Sequence, residues 1–167
     1  MLLPNDRIMV AFRRACDWTT GDVIAHGFPS TEACLTWSDD LGQSWSEPRI
    51  FTAGNITNQN LLSLPNGPLI LLTQRGEMVP LKIYDKWKDQ KPFHYDPHFG
   101  WAYAAYGVLA VRSFNNGFTW EAPVPISPIP DIEPVFPGWP SPAGLGASPT
   151  LLQDGEIRIF LSVEPRL

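Results

Sequence analysis

The stretch "SDDLGQSW" occupies residues 38–45, and a second version of it, "SFNNGFTW", occupies residues 113–120. Both open with serine, place Asp or Asn two residues on, then glycine, then a hydroxyl residue, and end in tryptophan. Asp40 has a carboxylate that accepts hydrogen bonds from backbone amides just ahead of it, and Asn115 offers the same acceptor without the charge. Gly42 and Gly117 supply positive φ at no steric cost. Ser38, Ser44, Ser113 and Thr119 tie hydroxyls across the loop, and Trp45 and Trp120 are expected to turn inward and plug a sheet. The motif therefore reads as a fastener between two strands, repeated because a larger unit is repeated.

The surroundings repeat as well. The two turns start 75 residues apart, and Pro48 and Pro123 each follow their tryptophan by three. "LPNDRI" (3–8), "LPNGPL" (64–69) and "LQDGEI" (152–157) are tight hairpin turns flanked by β-formers. "RIMVAFRR" alternates, with Ile8, Val10, Phe12 and Arg14 on one face and Met9, Ala11 and Arg13 on the other. "ACLTWS" and "GVLAVRS" lead into the Trp-ended turns, and "RIFT" and "VPIS" lead out. "NLLSL" with "PLILLTQ", and "PTLLQ" with "IRIFLS", complete the hairpins. No stretch sustains a 3.6-residue apolar period between these breakers. One unit is four antiparallel strands, with the Trp-ended turn joining the third to the fourth and the prolines marking outer edges. Four-stranded units repeated around an axis are the blades of a β-propeller, so the expectation is an all-β fold of about two to two and a half blades. The expected units are 1–54, 55–127 with a long insertion, and 128–167, a crossover plus one hairpin.

Composition agrees with a loop-rich β protein. The 167 residues include 18 Pro, 9 Phe and 7 Trp, and only 17% are charged. A net charge of −5, with no basic run longer than Arg13-Arg14, argues against a nucleic-acid partner, and no apolar run reaches membrane-spanning length. The first residues lack a basic and then apolar leader pattern, and localisation is left open. Cys16 and Cys34 read as reduced core thiols, and no cofactor or metal is implied. His94, Asp96 and His98 alternate in "HYDPH", but nothing nearby completes a metal-ligand set. His26 reads as a solvent-facing loop histidine.

The pattern Ser-x-Asp-x-Gly-x-Ser/Thr-Trp resembles the Asp-box, or BNR repeat, of the sialidase superfamily. Residues 38–45 match it in full, and residues 113–120 match with Asn115 in place of the aspartate. "IMVAFRRACDWTTGD" (8–22) is similar to the sialidase segment in which a strand ends in arginine and a loop aspartate acts as acid/base. The resemblance implies that Arg14, or Arg13, grips an anionic sugar, with Trp18 beside it. It also implies that Asp17, or Asp22, handles the proton. A sialic acid carries a carboxylate, which a planar guanidinium binds bidentately. Sialidases use a tyrosine nucleophile activated by a glutamate, both from later blades.

The chain departs from that pattern in lacking an Arg-Ile-Pro stretch and the later arginines, tyrosine and glutamate, so the 167 residues alone are expected to be inactive. The implied function is exo-α-sialidase-like glycoside hydrolysis with a carbohydrate partner. A non-catalytic glycan-binding or scaffolding role, or hydrolysis of another sugar, are the alternatives. Open strand edges would offer a route to self-association. The stretch 76–107 is 14 residues longer than its counterpart, measured from turn Asn66 to Asn115 against Asn5 to Asp40. It is rich in aromatics and reads as a long loop, either packed on its neighbour or walling a substrate cleft. The proline-dense 123–142 reads as a stiff crossover.

Overall fold

The computed structural model describes residues 1–3, 5–15, 31–53, 56–65, 67–89, 93–96, 100–104, 107–126, 129, 137, 143–145 and 148–162. These residues are all-β apart from one short helix. In order it forms β1 (Ile8–Ala15), β2 (Thr31–Ser38), β3 (Arg49–Ala53), β4 (Ile56–Ser63), β5 (Leu69–Arg75), β6 (Met78–Val79) and α1 (Leu81–Trp87). There follow β7 (Phe93–Asp96), β8 (Trp101–Ala104), β9 (Gly107–Ser113), β10 (Val124–Pro125), β11 (Gly144–Leu145), β12 (Thr150–Leu151), β13 (Ile157–Arg158) and β14 (Leu161–Ser162).

Neighbouring strands are antiparallel, and in the two larger sheets they follow chain order. The first sheet is β1-β2-β3, and a bridge from Leu2 to Ile8 extends it on the β1 side. The second is β10-β9-β5-β4, a four-stranded meander. The third unit pairs β11 with β14 and β12 with β13. The two larger units share one register. Ile8 faces Ser38 across the first sheet, and Leu69 faces Ser113 across the second. The first residue after each hairpin turn thus meets the serine that opens each Trp-ended turn. β3 and β10 lie at sheet edges, where Pro48 and Pro125 withhold no ladder donor that an inner strand needs.

Side-chain patterning explains how the sheets stack. In β1, Met9 and Ala11 face the core, whereas Val10 on the other side is exposed. β5 is instead covered on both faces, with Leu69, Leu71, Leu72 and Thr73 all buried. Leu69 joins Leu3, Met9 and Leu35 in one core, with Ala11, Phe51, Leu61 and Trp120 packed around it. Leu72 joins Val108, Ala143 and Leu145 in another, bordered by Ile70, Ala110, Ile126, Ile129, Ile159 and Leu161. The second sheet is therefore the middle layer of three. β4 leans on β1 and β2, and β11 leans on β5 and β9, so each unit meets the one before it in the same way.

A polar stitch fixes the second junction. The Gln74 Oε1 accepts from the Leu145 amide at 2.8 Å and from Asn58 Nδ2 at 3.2 Å, and Ser148 Oγ bonds to Asn60 Oδ1 at 3.1 Å. Gln74 is buried, and this amide pairing is what allows it to be there.

The long stretch after β5 is not the loop its composition suggested. β6, β8 and β7 form a three-stranded antiparallel sheet in the order β6-β8-β7, and α1 packs on β8. Pro80 caps α1, with its carbonyl accepting from the Ile83 and Tyr84 amides. Tyr84 stacks on Tyr95 with centroids 5.1 Å apart. Aromatic and β-forming residues in "FHYD" and "WAYA" favour paired strands over an unpaired loop.

Candidate functional site

The two Trp-ended turns have one geometry. In the first, Ser38 Oγ donates to Asp40 Oδ1 at 2.7 Å and accepts from the Gly42 amide at 2.7 Å. The Ser44 amide donates to Asp40 Oδ1 at 2.9 Å, and Ser44 Oγ donates to Oδ2. In the second, Ser113 Oγ donates to Asn115 Oδ1 at 3.1 Å and accepts from the Gly117 amide at 2.9 Å. The Thr119 amide donates to Asn115 Oδ1 at 2.9 Å, and Asn115 Nδ2 donates to Thr119 Oγ1 at 2.8 Å. The asparagine therefore reproduces the aspartate's bonds with one donor direction reversed. Each turn is closed by one further amide, Ser46 to the Trp37 carbonyl and Glu121 to the Arg112 carbonyl.

Both glycines have positive φ, as expected: +94° at Gly42 and +83° at Gly117. The residues before them do too, Leu41 at +57° and Asn116 at +54°. Asn accepts that conformation readily, but a leucine there was not foreseeable from composition, and only the repeat alignment with Asn116 would have pointed to it. The hydroxyl and amide donors hold the Asp40 carboxyl at about 2, down from 3.8. The Ser44 side chain contributes most, followed by the Ser44 amide and Ser38. A carboxylate so fully occupied by its own loop is a structural group, not a proton donor.

The tryptophans correct one expectation. Trp120 does plug inward: its ring meets Phe51 of the first sheet edge-on at 5.4 Å and joins the core there. Trp45 does not, and stays 47% exposed. The reason is positional: Trp120 sits against the preceding sheet, and among the described residues no sheet lies against Trp45.

At the opposite end of β1 from these turns lies the arginine pair that the sialidase resemblance singles out. Arg14 donates from Nε and Nη2 to Glu32 Oε2 at 2.9 and 2.8 Å, across the β1–β2 ladder. Arg13 is partly buried in the same strand, on the opposite face. Arg75 holds the position in β5 that Arg14 holds in β1, and pairs with Glu77 at 3.5 Å. Sequence reading passed over Arg75, although the alignment of "LPNGPLILLTQR" with "LPNDRIMVAFRR" points to it. Asp17, Trp18, Asp22, His26, His98 and Cys16 lie outside the described residues. Cys34 is a buried residue of β2. No group of three or more metal-ligating side chains occurs among the described residues, and no helix among them is long and apolar enough to cross a membrane.

No protein-family model matches the chain, and a search of curated proteins finds no match either. Among solved structures, the chain is similar to the crystal structure of a protein of unknown function from Dyadobacter fermentans DSM 18053. The TM-score is 0.72 at 24% identity over 92% of this chain. The chain spans 42% of that protein's length. The likeness is one of fold.

Proposed function

We propose that the chain is part of a sialidase-type β-propeller, and that its function is exo-α-sialidase-like glycoside hydrolysis. The observation that carries this reading is the pair of Asp-box turns, which join equivalent strands in one register with matching hydrogen bonds. The repeated stacking of each unit on the one before supports a radial arrangement of blades. Arg14 and Arg75 come from equivalent strand ends, opposite the Asp-boxes, where strands of neighbouring units could present guanidinium groups to one anionic sugar. Asp17 or Asp22 would supply the proton from the connection that follows β1.

A second reading is favoured by one observation. Arg14 is already bound to Glu32, so a substrate carboxylate must compete with that pair. A glycan-binding propeller without turnover would have no need to break it.

Both readings are tested with a fluorogenic sialoside and with N-acetylneuraminate, on the 167-residue chain and on the complete product of its gene. Hydrolysis by the complete product, lost in Arg14→Ala and Asp17→Asn, supports the hydrolase. Binding of the free sugar without turnover selects the second reading. Neither binding nor turnover defeats both.

A further inference from the structure

Between the second Asp-box and the first sheet lies an open cleft of about 330 Å³. Trp37, Phe51, Phe118 and Trp120 give it aromatic walls, and the exposed residues Arg49 and Glu121 give it its charged groups. Pockets of this size hold a single small ring, and their specificity comes from a few polar groups set in an apolar lining.

The charges in and around the cleft are not equivalent. Glu121 accepts from Arg112 Nε at 2.8 Å and is thereby neutralised. Arg7, which lies 4.3 Å from the Phe118 ring and 5.4 Å from the Trp37 ring, is neutralised by two bonds to Asp39, at 2.6 and 3.0 Å. Arg49 differs. Its guanidinium lies 5.9 Å from the Trp37 ring centroid and spends one donor on the Phe118 carbonyl at 3.3 Å. It has no carboxylate within ion-pair distance among the described residues. In a chain of net charge −5, that leaves one uncompensated cation on an aromatic cleft. A second donor is also unspent, because the buried Trp120 Nε1 has no hydrogen-bond partner among the described residues.

Unspent donors call for an acceptor, a guanidinium fork suits a carboxylate, and aromatic faces suit the flat side of a ring. The geometry points to a binding site, at the junction of the first two units, for a small ring compound that carries a carboxylate, an acidic sugar or an aromatic acid. It is separate from the arginine end of the sheets. Arg49 pairs with Leu35 and Leu35 with Ala11, so Arg49 lies two strands across from β1 and three residues short of Arg14, about 10 Å in each direction.

The test titrates glucuronate, benzoate and neutral glucose into the 167-residue chain while the tryptophan indole N–H resonances are followed by NMR. Expected are saturable shifts at Trp37 and Trp120 with a Kd on the order of millimolar, and binding weakened about tenfold or more by Arg49→Gln. Arg14→Ala should leave them unchanged, which keeps this site distinguishable from the proposed hydrolase site. Glucuronate alone binding identifies an acidic-sugar site, and benzoate alone an aromatic-acid site. Equal binding of glucose, indifference to Arg49→Gln in a folded variant, or no shift at about 50 mM ligand would overturn the inference.

Discussion

Gly42 and Gly117 occupy one position of one motif, yet alanine would meet different surroundings at each. A Cβ at Gly42 would find nothing closer than 3.9 Å, so Gly42→Ala bears only the left-handed backbone penalty, about 1–2 kcal/mol. A Cβ at Gly117 would lie 2.2 Å from the Met9 methyl, which is itself buried. Gly117→Ala adds overpacking to the backbone term and should cost about 2–4 kcal/mol. Urea unfolding of both variants measures the difference, and Met9→Ala should recover part of it in the Gly117 variant only. Asp40 and Asn115 give a matching pair for charge. Because folding lowers the Asp40 pKa, its contribution is present at neutral pH and is lost as pH falls from about 4 through about 2. Asp40→Asn, which copies the second turn, should therefore match the parent near pH 7 and show a shallower loss of Tm below pH 4. A steeper acid limb in the variant would contradict this assignment.

Strand pairing was largely legible in the sequence, because each strand is a run of β-formers and each boundary carries its own turn chemistry. Met9 to Phe12 and Leu69 to Leu72 are both wholly apolar in sequence, so the middle layer is marked by burial and not by pattern: Val10 is exposed, whereas Leu69, Leu71 and Leu72 are buried, with Leu69 and Leu72 in two separate cores. The insertion was legible in length but not in form. Its strands β7 and β8 are four residues each, and α1 makes two turns, so none is long enough for a period to stand out. The arginine site was legible only through resemblance, since nothing in "FRRAC" shows that Arg14 will meet Glu32 across a ladder. The cleft at Arg49 was not legible at all. Its walls come from residues 35–51 and 117–123, brought together by sheet stacking and not by local pattern.

At the scale of the molecule, the two tryptophans report what stacking contributes. Trp120 is wedged against Phe51 and the first core, while the ring of Trp45 is half open to solvent. Trp120→Ala should cost about 2–4 kcal/mol and Trp45→Ala less than about 1, as read by thermal unfolding. Equal losses would mean that the two turns dock alike. The layered cores carry a further consequence. One apolar cluster joins the first unit to the second, a separate one joins the second to the third, and the two end units share neither. Such a stack behaves as a short linear array whose end members open without dragging the rest along. Amide hydrogen exchange should be slowest in β5 and β9, which border the second cluster while the first reaches β5 through Leu69, and fastest among strands in the two-residue β12–β13 ladder.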